Sequence, residues 1–69
     1  PKQLTVDLPI DYYGQAETIG ITQYVTEQAE KYFDNIDEYE IRIKDGNTPR
    51  ALISKSKDVK EPQVHIYHN

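Results

Sequence analysis

The hydrophobic period of this chain switches from two to about 3.6 and back to two, which limits the fold to one helix set among short strands. Leu4, Val6 and Leu8 alternate with Thr5 and Asp7, the pattern of a half-buried strand over residues 3–8. Pro9 ends that strand or holds it at a sheet edge. Asp11 to Gln15 reads as a loop, with Gly14 at a turn position.

From Ile21 the spacing lengthens. Ile21, Val25, Ala29, Tyr32 and Ile36 form one helical stripe, and Phe33 widens it. Thr22 is a candidate cap for the start. A start nearer Thr18 would put Gly20 in the first turn at a cost in propensity. Glu27 and Lys31 stand four apart in the favourable order, and the helix is expected to stop near Asn35.

Alternation then returns. Tyr39, Ile41 and Ile43 alternate with Glu40 and Arg42, and Asp45-Gly46-Asn47 is a turn signal followed by Pro49. Residues 50–56 make a third strand, with Ala51 and Ile53 on one face and Leu52 on the other. Lys55 to Pro62 is a polar loop. Gln63 to Tyr67 is a fourth strand, Val64 and Ile66 in line and His65 and Tyr67 opposite. The expected fold is α+β: one domain over residues 1–69, in the order β-α-β-β-β. Its helix packs on a small mixed, mostly antiparallel sheet. If the first two strands pair across the helix, they run parallel with a right-handed crossover. Residues 1–2 and 68–69 are expected to be disordered.

Only 36% of the 69 side chains are apolar, so either the core is compact or a partner completes it. The absence of cysteine excludes disulfides, thiolate zinc sites and thiol nucleophiles. Small secreted domains usually depend on disulfides, so the expected home is cytoplasmic. No apolar run approaches a membrane span and no signal-peptide pattern is present, so membrane insertion and export are set aside at this stage.

The net charge is −4, with twelve acidic and eight basic residues. Residues 11–45 carry nine acids and three bases, and residues 46–69 carry four bases and two acids. That balance argues against bulk binding to nucleic acid. Chemistry is sparse. His65 and His68, three apart on a strand, would face opposite ways and read as exposed tail residues, so no metal site is expected. Ser54 and Ser56 sit among lysines without an evident base. Asp34, Asp37, Glu38 and Glu40 lack the spacing of a calcium loop and read as a solvated helix end and strand face. No catalytic residue and no cofactor is expected.

Six tyrosines in 69 residues point instead to contact surface. Tyr32 and Tyr39 are expected partly in the core. Tyr12, Tyr13 and Tyr24 are expected to be exposed anchors, with Glu27, Glu30, Asp34 and Glu38 as a charged rim. A small core assembled from amphipathic tyrosines accounts for them equally well. Arg42, Arg50, Lys55, Lys57 and Lys60 form the one set able to touch anions. As the charged edge of a hairpin they need no ligand.

Three stretches together resemble the ribosome hibernation-promoting factor family. They are Ile21-Thr22-Gln23-Tyr24-Val25, Glu30-Lys31-Tyr32-Phe33-Asp34-Asn35-Ile36 and Tyr39-Glu40-Ile41-Arg42-Ile43. The resemblance covers at most residues 4–43. It implies a ribosome- or RNA-associated factor, although the family contacts RNA with basic helices and this helix is acidic. The leading Pro1 is similar to the catalytic proline of the small tautomerases, which implies an enzyme using Pro1 as base. Initiator-methionine removal before proline explains Pro1 more simply.

The reading favoured by the residues themselves is a small, non-enzymatic protein-binding regulator. It would be an adaptor or inhibitor of the kind carried by phages or mobile elements, with another protein as its partner. Self-association through an uncovered sheet edge is compatible with the same pattern.

Overall fold

In the computed structural model, which describes residues 3–68, the alternating runs form four strands and the wider stripe forms one helix. The elements are β1 (Gln3–Pro9), α1 (Gln15–Tyr32), β2 (Glu38–Asp45), β3 (Thr48–Lys55) and β4 (Gln63–Ile66). The sheet order is β1-β2-β3-β4. β1 runs parallel to β2, and the other pairs are antiparallel. The α+β class, the element order and the mixed sheet match the sequence expectation. Pro1, Lys2 and Asn69 lie outside the described residues, and with them the frayed ends and the tautomerase-like base expected there.

The register shows why two strands carry the core. Val6, Ile41, Ile53 and Val64 line up across the sheet, and so do Leu8, Ile43, Ala51 and Ile66. Helix α1 covers the middle of this face, so the central strands bury Tyr39, Ile41, Ile43, Ala51 and Ile53. The flanking strands bury their inward residues only partly. On the opposite face Arg42 pairs with Glu40 at 2.7 Å and reaches Asp7 at 3.7 Å. Those partners keep its guanidinium protonated, the Glu40 hydrogen bond first.

The helix starts earlier than expected. It begins at Gln15 behind Gly14, which sits at φ 128 and supplies no side-chain cap. Thr22 is therefore no cap: it lies mid-helix, and Thr18 and Thr22 are both buried against the sheet. Their polarity is absorbed locally. Thr18 donates its hydroxyl to the Gly14 carbonyl at 3.1 Å, Thr22 to Thr18 at 2.7 Å and Thr26 to Thr22 at 2.7 Å. Each hydroxyl turns back along the helix, which leaves the rest of the side chain to pack. The far end also differs: α1 stops at Tyr32, and Phe33 donates its backbone N–H to Ala29 at 2.8 Å. Lys31 sits over the Tyr32 ring at 5.4 Å.

Tertiary contacts pin the segments outside α1. The two-residue turn Gly46–Asn47 joins β2 to β3, with Gly46 at φ 59, where a side chain would cost roughly 1–2 kcal/mol. Between Ile43 and Lys44 the register slips, so Arg50 is the extra residue of a bulge on β3. Its guanidinium lies 3.7 Å from the centre of the Tyr12 ring. His68 lies beside the helix start, with Nδ1 3.0 Å from Gln15 Nε2.

Candidate functional site

The residues expected to form one acidic, tyrosine-bearing patch are distributed over separate surfaces. Tyr13 is 73% exposed at the start of α1, but Tyr12 is half-buried beneath Arg50 and is no free anchor. Eighteen residues of helix, about 27 Å, separate this end from the end where Asp34 and Glu38 lie. Tyr24 and Tyr32 stand on the flank of α1 that faces β1. Glu27 stands on the flank that faces β4, and Glu30 with Asp34 borders a third cleft beside Lys55 and Lys60. Tyr32 was expected in the core and is 66% exposed.

The basic set is equally scattered. Arg42 is paired on the open sheet face, and Arg50 is stacked on Tyr12. Lys55 donates through Nζ to the Asp37 carbonyl at 3.2 Å and to the Ser56 carbonyl at 3.3 Å. Lys57 is exposed in the loop after β3. Lys60 borders the third cleft. Among the described residues these cations form no single basic face that could track a phosphate backbone.

Two grooves flank the helix. The larger, 610 Å³, runs between α1 and β4, lined by Ile19, Thr22, Gln23, Thr26, Glu27 and the strand residues Val64 and Ile66. The smaller, 240 Å³, lies between α1 and β1. Val6, Leu8 and Ile41 form its floor, Val25 and Phe33 its wall, and the Tyr24 and Tyr32 rings its rim. Its lining exposes no polar atoms. Sequence reasoning missed this groove, because Tyr32 was assigned to the core. The available signal was the four-residue spacing Tyr24, Gln28, Tyr32, which runs parallel to the buried stripe.

The third cleft, 190 Å³, lies beneath Tyr39. The Tyr39 ring packs edge-on against Phe33 at 5.5 Å, and its buried hydroxyl has no hydrogen-bond partner among the described residues. Burial, and secondarily the charge of Glu30, raises its pKa above the usual phenol value. His65 stacks edge-on against Tyr67 at 4.6 Å, so the two histidines are held apart in separate contacts. No cluster of metal-ligating side chains occurs among the described residues.

The family described as CamS sex pheromone cAM373 precursor matches residues 2–61. Among solved structures, the chain is similar to the C-terminal domain of the sex pheromone staph-cAM373 precursor from Staphylococcus aureus. The identity is 85% and the TM-score 0.92, over 97% of this chain and 21% of that one. It is also similar to a sex pheromone precursor from Lactobacillus salivarius, at 17% identity and TM-score 0.76, over 99% of this chain and 20% of that one. That second likeness shows the shared fold alone. The chain thus spans about a fifth of the length of either solved relative. No curated protein matches it.

These matches correct the expected family, function and location. The resemblance to ribosome hibernation factors is overturned, since the matched pattern runs through β3 and the following loop and belongs to another family. The adaptor or inhibitor function falls with it, as do the regulator and phage assignments and the RNA-associated and tautomerase alternatives. The cytoplasmic placement also falls, because a sex pheromone precursor is typically secreted or membrane-anchored. The absence of cysteine misled that placement: here Ile43 and Ile53, both fully buried, centre a core without disulfides. The family is described by a precursor role and not by a reaction, and the chain belongs to the CamS sex pheromone cAM373 precursor family.

Proposed function

We propose that this chain is a folded, non-catalytic module of a pheromone precursor, retained when the pheromone is released and working outside the cytoplasm. The observation that carries the reading is the extent of the family match. It runs over residues 2–61, across β1, α1, β2 and β3, so the family's pattern follows the fold and not a short excisable motif. A piece released from a polypeptide must be cut at accessible, unpaired backbone. Within residues 3–68 most of the chain is bonded into the helix and sheet, and the longest irregular stretch, Ser56–Pro62, is polar.

The non-catalytic part of the reading is supported by where the reactive groups lie. His65 is stacked on Tyr67, His68 is bonded to Gln15, and Arg42 is paired with Glu40 and Asp7. None of these contacts brings a nucleophile to a base.

An epitope placed in the Lys57–Lys60 loop of the full-length precursor tests the location. Cell fractionation is expected to find the tag in the envelope or the culture medium. A tag confined to the cytosol would overturn the reading.

A further inference from the structure

The β1 edge of the sheet and the groove beside it have the form of an unfilled strand position. Among the described residues β1 is bonded on one side only, to β2, along seven residues from Gln3 to Pro9. Its outer edge therefore offers a row of unpaired backbone groups. Natural edges of this length are usually blunted by charged side chains, lysine above all, by proline, by a bulge or by brevity. β4, at the opposite edge, is only four residues long. β1 has no lysine and no register break; its one charged residue, Asp7, is engaged by Arg42 at 3.7 Å, and Pro9 comes only at its end. Below that edge the α1–β1 groove, although Gln28 is among its lining residues, exposes apolar atoms alone, whereas the α1–β4 groove exposes polar atoms as well. Tyr24 and Tyr32 stand at its rim, 63% and 66% exposed.

An extended segment laid along β1 would satisfy both features together. Its backbone would pair with the free edge, and every second side chain would point toward the groove. We infer that the occupant is a segment from elsewhere in the same precursor polypeptide, added beside β1 with apolar side chains under Tyr24 and Tyr32. Chain length favours that source. The solved relatives are about five times as long as the part this chain covers, so most of such a polypeptide lies outside this fold at high effective concentration. A tethered segment pays little of the association entropy that a separate partner must pay. The inference rests on the chain being part of a longer precursor, and not on which part of that precursor is released.

The experiment uses the full-length precursor with the photo-crosslinker p-benzoylphenylalanine in place of Tyr24, and separately in place of Tyr32. The expected product is an intramolecular adduct to a peptide outside residues 3–68, with a yield unchanged on tenfold dilution. A control probe at Lys57, in the loop after β3, is expected to give no such adduct. An adduct whose yield falls with dilution would overturn the inference in favour of a second copy. A probe quenched only by solvent would overturn it outright.

Hydrogen exchange on the unmodified precursor gives an independent reading. All backbone amides from Leu4 to Leu8 are expected to exchange slowly. An alternating pattern, with only the β2-bonded amides slow, would show the edge to be free and overturn the inference. Neither readout depends on where the pheromone originates, so this inference and the retained-module reading can fail separately.

Discussion

The guanidinium carbon of Arg50 lies 3.7 Å from the centre of the Tyr12 ring, joining the β3 bulge to the loop that starts the helix. Arg50 Nε is buried without a hydrogen-bond partner among the described residues, so the aromatic face is the contact that accommodates this cation. Tyr12→Ala is expected to destabilise the fold by about 1–2 kcal/mol, while Tyr12→Phe, which keeps the ring face, changes stability by less than about 0.5 kcal/mol. Urea denaturation of the two variants checks this. Equal losses would mean that the phenol hydroxyl, and not the ring, matters.

Thr22 tests how a polar residue serves as core. Its hydroxyl returns to the Thr18 carbonyl at 2.7 Å, an oxygen that can still accept the helix N–H once the hydroxyl is removed. Thr22→Val therefore leaves no orphaned group and is expected to stay within about 1 kcal/mol of wild type. Thr22→Ser keeps the hydroxyl, removes the packed methyl and is expected to cost about 1 kcal/mol. Thermal melts of the pair would give the reverse order if the hydrogen bond outweighed the packing.

Ile43 and Ile53 face each other's strands with no exposure at all. Truncating either to Ala is expected to cost about 2–5 kcal/mol. For a core of this size that loss approaches the whole stability, which small domains hold to about 5 kcal/mol. Circular dichroism at physiological temperature should show a largely unfolded population. A fully folded Ile43→Ala variant would indicate that the core extends beyond the buried set described above.

Much of the fold was legible because its apolar spacing is regular. Alternation at Leu4, Val6 and Leu8 and at Tyr39, Ile41 and Ile43 located β1 and β2, and the Asp45-Gly46-Asn47 signal located the hairpin. The helix start was missed because its first two buried positions are threonines, whose hydroxyls are satisfied within the helix. Tyr32 was misplaced because helical spacing identifies a flank but not how far the sheet extends beneath it. Among the described residues no further strand lies beyond edge strand β1 to cover the ring. The family was illegible for a different reason. It is carried by a pattern spread over 60 residues and not by a ligand set or a catalytic spacing.

Tyr39 predicts a pH dependence. Its folded-state pKa is raised, first by burial and then by Glu30, above the value of 10.0 it has when unfolded. The neutral phenol is the form the fold accepts. The stability tied to that proton is fully present below pH 10.0 and is lost as pH climbs through the raised folded value. An ultraviolet titration of the tyrosines should show one late phenolate step that is absent in Tyr39→Phe. Tyr39→Phe also removes the unpartnered hydroxyl and is expected to be as stable as wild type or up to about 1 kcal/mol more so. A Tyr39 phenolate step that coincides with those of the exposed tyrosines would place the hydroxyl in contact with water.

The central claim is that residues 3–68 form a retained module of the precursor and are not the released signal. Mass-spectrometric mapping of the pheromone-active fraction from cells producing the full-length precursor tests it most directly. The account predicts that every active peptide maps outside residues 3–68 and that the module itself survives as one protease-resistant piece. An active peptide drawn from α1 or from any strand of the sheet would contradict it.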